Sequence, residues 1–136
     1  MDIQTIVHYS LHFGFPFLIA YLFFRENWKY AGLIMVLMIL IDVDHLLASP
    51  VFDPQRCSIG FHPLHSFWAI GIYFIAAFFK KTRIIAIGLL IHIFADLTDC
   101  LWTFSKCRQC SMDSKIHEIF SDINFSLTDN LFWFNI

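Results

Sequence analysis

Four apolar runs are separated by short polar links: Thr5–Phe24, Tyr30–Leu47, Leu64–Phe79 and Ile84–Trp102. As helices they reach roughly 24–30 Å at 1.5 Å per residue, against a hydrocarbon core of about 30 Å. The third is the shortest. Gly14 and Pro16 are expected to bend the first run or to set off its N-terminal part. The links Arg25–Lys29 and Lys80–Arg83 are too short for anything but antiparallel neighbours. The pattern therefore predicts an all-α polytopic membrane protein, with about four transmembrane helices in an up-down-up-down bundle.

The polar residues inside the runs are not scattered. His8 and His12 lie early in the first run, and Asp42, Asp44 and His45 end the second. His62 and His65 open the third, and His92, Asp96 and Asp99 occupy the second half of the fourth. In an antiparallel bundle all four places fall at one level, within about 15 Å of one face. His8 and His12, Asp42 and His45, His62 and His65, and His92 and Asp96 are spaced three or four apart, so each pair shares a helix face. An Asp at the centre of a membrane helix costs about 2.5–3.5 kcal/mol on insertion scales, so such residues mark a site or a pathway.

Composition agrees with lipid. The 136 residues are 58% hydrophobic and 18% aromatic, with 17 Phe and a mean hydropathy of +0.65. Soluble domains run at about 45–50% apolar. The net charge of −2 and the dispersed basic residues exclude a nucleic-acid footprint. The N-terminus carries no positive n-region and no cleavage site, so the first run is expected to remain in the mature chain. Residues 1–102 form the membrane domain, and 103–136 a polar to amphipathic tail ending in Leu131-Phe132-Trp133-Phe134. Five of the nine basic residues sit in the two short links, which places those links in the cytoplasm of a bacterial-type inner membrane and the polar layer toward the opposite face.

The four runs contain Asp42, Asp44, Asp96 and Asp99 but no Lys or Arg. Buried carboxylates require a counter-charge or take up protons. Protonated His or a bound cation is left to supply it. Neutral His with Asp is a ligand set for a divalent ion, zinc first, with manganese, iron or magnesium as alternatives, and the donors suffice for one or two ions. His12, Asp42, His45, His65, His92 and Asp96 are the candidate ligands. Asp44 and His62 are the candidate catalytic residues, as general base. Taken singly, a membrane His is more often an interhelical hydrogen bond, Asp44 and His45 an interfacial pair, and Ser66 a packing group. Their shared depth is what sets these residues apart.

Asp42-Val43-Asp44-His45, His65-Ser66 and His92-Ile93-Phe94-Ala95-Asp96, in that order after an N-terminal His, resemble the YdjM-like membrane-bound metal-dependent hydrolases. The resemblance covers about residues 1–102. It implies a multispan inner-membrane protein using a divalent metal in hydrolysis, with no substrate attached; the position of the polar layer toward the outer face suggests membrane lipid as its surroundings and a small-molecule or lipid ester or phosphoester as substrate. Either His8 or His12 matches the N-terminal His, with His12 favoured by depth. The His-Arg-Gly stretch of that family is replaced by Phe61-His62-Pro63-Leu64, which removes an Arg suited to holding a phosphate.

Cys57 in the outer loop and Cys100 at the outer end of the fourth run are expected to pair if that face is oxidising, pinning the loop over the site. Cys107 and Cys110 form a lone C-x-x-C, a weak signal for zinc or redox chemistry. The alternative to a hydrolase is a metal-ion or proton transporter using the same Asp/His layer. Transport predicts polar residues continuing to the other face, whereas Leu18–Phe24, Leu33–Met38, Tyr73–Phe79 and Ile84–Ile91 are almost wholly apolar. Haem ligation is disfavoured by the adjacent carboxylates.

Overall fold

The computed structural model describes residues 2–49, 51 and 57–106. The expectations for the amphipathic end and for Cys107 and Cys110 lie outside the described residues, as does much of the loop before Cys57.

Four helices carry the described chain: α1 (Ile3–Phe23), α2 (Arg25–Leu47), α3 (Phe67–Ala76) and α4 (Arg83–Lys106). No strand occurs among the described residues. Helices α1, α2 and α4 are each long and apolar enough to cross a bilayer. The four-span expectation needs one correction. Helix α3 has ten residues, about 15 Å, and covers only half the thickness. It starts where Ser66 Oγ accepts the Ala69 N–H. It ends where Thr82 Oγ1 donates to the Ala76 carbonyl and Arg83 Nε to that of Ala77, diverting the chain into turns over 77–82.

The molecule is apolar outside and polar within. Trp68 is 87% exposed and Leu47 79%, while His65 is fully buried. In water that distribution would be unfavourable; in lipid it is the expected one. Two interior clusters hold the helices together. Ala20, Ala31, Met35 and Ile91 join α1, α2 and α4 at the end with the short links. Ile41, Ile59 and Ile93 pack with Cys57 and Cys100, which form a disulfide with Cα atoms 5.3 Å apart. The expected loop tether is thus present. Gly88 allows the closest helix approach: a Cβ there would lie 2.7 Å from the Met35 Cα. Small residues at such crossings let backbones meet without side chains between them.

Two departures from α-helix matter for the site. In α1 the segment Ser10–Gly14 is a π-turn, in which the Phe15 N–H reaches back to the Ser10 carbonyl. Pro16 has no N–H to give the His12 carbonyl, and its ring crowds that carbonyl, so the ladder widens just before it. The chain stays helical rather than breaking. In α2 the segment Met38–Leu47 is a ten-residue 3-10 helix. Three residues per turn sort its side chains into stripes. Leu40, Val43 and Leu46 are exposed, Ile41 and Asp44 are buried, and Ile39, Asp42 and His45 lie between.

Between the disulfide and α3 the chain is irregular save for the 3-10 turn Pro63–His65, and it enters the bundle. Its backbone groups are paired: Phe61 and His62 N–H donate to the Ser58 carbonyl, Gly60 N–H to that of His65, and His65 N–H to that of His62. Irregular backbone at membrane depth survives only with such pairing. Gly60, at φ 79°, supplies the one left-handed residue this turn requires.

Candidate metal centre

The second half of α2, the turn Pro63–His65 and the middle of α4 meet at one point. His92 is about nine residues from the start of α4 and Asp96 about ten from its end, so the meeting point lies roughly 14–15 Å from either end. There His65 Nε2, His92 Nε2, Asp42 Oδ1 and Asp96 Oδ2 converge. The two nitrogens are 3.3 Å apart. His65 Nε2 is 3.4 Å from Asp42 Oδ1 and 3.2 Å from Asp96 Oδ2. His92 Nε2 is 3.1 Å and 3.5 Å from the same two oxygens. A tetrahedron of ligands about 2.0 Å from a zinc ion has edges of about 3.3 Å. Five edges of this group therefore match the size of such a cage.

The tautomer of His65 is set from behind. Its Nδ1 lies 3.2 Å from Asp44 Oδ2, and a proton on Nδ1 for that carboxylate to accept leaves Nε2 of the neutral ring with a lone pair toward the centre. Asp44 Oδ2 also accepts the Leu64 N–H at 2.8 Å. A carboxylate behind a His is the usual orienting partner of a ligating imidazole. His92 Nδ1, by contrast, is buried without a hydrogen bond among the described residues. Of the four converging residues only Asp42, with 40% of its side chain exposed, opens toward the surroundings.

A second group lies across Asp96. Its other oxygen, Oδ1, is 3.3 Å from His12 Nε2, and the His8 and His12 rings are 4.4 Å apart between centroids. His8, His12 and Asp96 can each offer one donor atom within 4.8 Å of the others. Asp99 Oδ1 stands 3.9 Å from His8 Nδ1 and accepts from Gln4 Nε2 at 2.9 Å. At the end of the bundle away from the short links Lys106 is engaged by Asp2 and Gln4, each at 3.0 Å, and the ammonium holds the Asp2 carboxyl below its usual range.

Asp44, His45 and His62 form a third group. His45 Nδ1 is 3.2 Å from both the Asp42 carbonyl and Asp44 Oδ1, and its Nε2 is 3.1 Å from Ser58 Oγ. The His45 and His62 rings stack at 3.9 Å. Thus Asp42, His65, His92 and Asp96 meet, His12 joins through Asp96, and His45 stands outside the central four. Asp44 and His62, expected as general bases, lie on the far side of His65. Two residues apart, Asp42 and Asp44 fall on different stripes of the 3-10 stretch. Gln4 and Ser58 were not expected. Gln4 sits four residues before His8 on the same face, a usable signal; Ser58 carried none.

Beneath His12 and His92, toward the short links, the walls are Pro16, Met35, Val36, Ile39, Gly88 and Ile91. The polar layer ends there.

The profile of a family of unknown function, DUF6122, matches residues 2–103, and the chain belongs to that family. No curated protein and no solved structure matches it significantly.

Proposed function

We propose that this member of the DUF6122 family is a membrane-embedded metal-dependent hydrolase acting on a lipid-like or periplasmic ester or phosphoester. One observation carries the proposal. Two imidazole nitrogens and two carboxylate oxygens, all electron-pair donors, converge at 3.1–3.5 Å where no Lys or Arg is at hand. Among the described residues the basic side chains lie only in the two short links and at Lys106. Four such donors repel one another unless positive charge sits among them. The spacing suits a divalent ion, zinc first.

Asp42, His65, His92 and Asp96 would hold that ion. When bound, it supplies Lewis acidity toward water or a substrate oxygen. Asp44 acts as a positioning residue, fixing the His65 ring through Nδ1. The half-exposed Asp42 carboxylate marks the edge at which a substrate meets the site. Burial of His65, His92 and Asp96 keeps bulk water from their polar atoms, which strengthens every charge interaction among them. The motif order shared with the YdjM-like hydrolases points the same way. The apolar floor beneath His12 and His92 supports a one-sided cup over a transport path.

Two further features support a location. Basic links argue for a cytoplasmic position of residues 25–29 and 80–83, and the disulfide for an oxidising compartment on the loop side, as in a bacterial periplasm.

Elemental mass spectrometry of the detergent-purified chain tests the reading. At least one equivalent of a transition metal, lost in both Asp42→Ala and His92→Ala, is the expected result and would justify esterase and phosphodiesterase screens. A metal-free wild type that stays so after reconstitution with zinc, manganese or iron sinks it.

A further inference from the structure

The two oxygens of Asp96 serve different neighbours. Oδ2 faces His65 and His92; Oδ1 faces His12. We infer that Asp96 bridges two cations, the second held by His8, His12 and Asp96 Oδ1. The inference rests on the central group being a metal site and adds a distinct, more weakly held ion beside it.

Three observations carry it. First, the Asp96 Oδ1 to His12 Nε2 separation of 3.3 Å is again the edge expected for two ligands of one small divalent ion. Both side chains are at least nine-tenths buried, so their polar atoms have little water to turn to. Second, His8 Nδ1 is buried without a hydrogen-bond partner, with Asp99 too distant at 3.9 Å to provide one. A buried polar atom without a partner is costly, and an ion in this group would relieve the same cluster. Third, no Lys or Arg among the described residues bonds Asp96 or Asp99, and Lys106 is engaged by Asp2 and Gln4.

The groups differ in kind. The central one offers four protein donors. The second offers three and shares one of its residues, leaving a coordination position for an exchangeable ligand. It is therefore the weaker of the two. The π-turn is what makes His12 available: it spans Ser10–Gly14 and sets His12 beside α4, its ring 4.5 Å from that of His92.

Manganese titration of the full-length wild type and His8→Ala in detergent, read by elemental analysis and by the electron paramagnetic resonance of bound manganese, is the test. Two equivalents in the wild type with a spin-coupled spectrum, and one uncoupled equivalent in His8→Ala, are expected. His8→Asp, which supplies a carboxylate donor in place of the imidazole, should recover the second equivalent and guards against a folding defect in the alanine variant. A single equivalent in the wild type, unchanged in His8→Ala, overturns the second site and leaves the central one standing. A wild type that takes up no metal overturns both.

Discussion

His65 and His92 bring their Nε2 atoms to 3.3 Å of each other, although one sits in a turn before α3 and the other in the middle of α4. Twenty-seven positions separate them. A proton on the opposite ring nitrogen for the Asp44 carboxylate to accept leaves Nε2 of the neutral His65 ring to approach His92 as a lone pair. The arrangement is stable only with a proton or a cation between the two rings.

That choice gives the pH dependence its sign. Bound metal requires neutral imidazole, and protons compete for the same nitrogens. Metal retention should be complete at pH 7.5 and fall as the medium is acidified below the ordinary imidazole value of about 6.5. Dialysis against a weak chelator at a series of pH values measures it. Retention that rises on acidification would contradict imidazole ligation.

Asp44 reaches the centre only through His65. Asp44→Asn keeps the shape but removes the charge that orients the ring, and should weaken metal affinity by about 10–100-fold. Asp42→Asn removes a converging oxygen and should cost more. Chelator competition ranks the two; equal losses would mean that Asp44 touches the ion directly.

Helix packing can be tested at glycines. Gly88→Ala forces a methyl to 2.7 Å from the Met35 backbone and should destabilise the fold by about 1–3 kcal/mol. Gly71→Ala, with nothing within 4 Å of its Cβ, should be neutral or slightly stabilising. Thermal unfolding in one detergent compares them, and equal melting temperatures would count against the crossing.

Cys57 and Cys100 close a loop with a sequence separation of 43. Cys57→Ser should lower stability by about 2–4 kcal/mol. Neither sulfur belongs to the metal groups, so metal content should survive the substitution in protein that remains folded. Loss of metal from folded Cys57→Ser would show that the loop position itself governs the site.

Much of this was legible in the sequence because membrane insertion penalises Asp and His wherever they do no work. That penalty made His12, Asp42, His65, His92 and Asp96 conspicuous, and helical rise alone put them at one depth. Gly14 and Pro16 announced the irregularity in α1. The division of the donors was not legible. Period 3.6 pairs Asp42 with His45 and turns Asp44 to another face, and shared depth alone grouped all three, so the side of His65 that Asp44 meets was left open. The length of α3 was overestimated because apolar residues continue through Phe78 and Phe79, where Thr82 and Arg83 have already turned the chain. Which oxygen of Asp96 faces which His is a matter of side-chain torsion, on which spacing is silent.

The 3-10 segment of α2 also imposes a grammar on its own variation. With three residues per turn, one inserted or deleted position rotates everything beyond it by a full third of a circle. Either change before Leu40 would carry the stripe of Leu40, Val43 and Leu46 out of the lipid; a deletion would send Asp44 into it, and an insertion Asp42 and His45. Substitutions among the exposed apolar positions leave the registration intact; a change in their number does not. The single residue between the two aspartates is thus a spacer whose presence counts for more than its identity, provided that it dissolves in hydrocarbon.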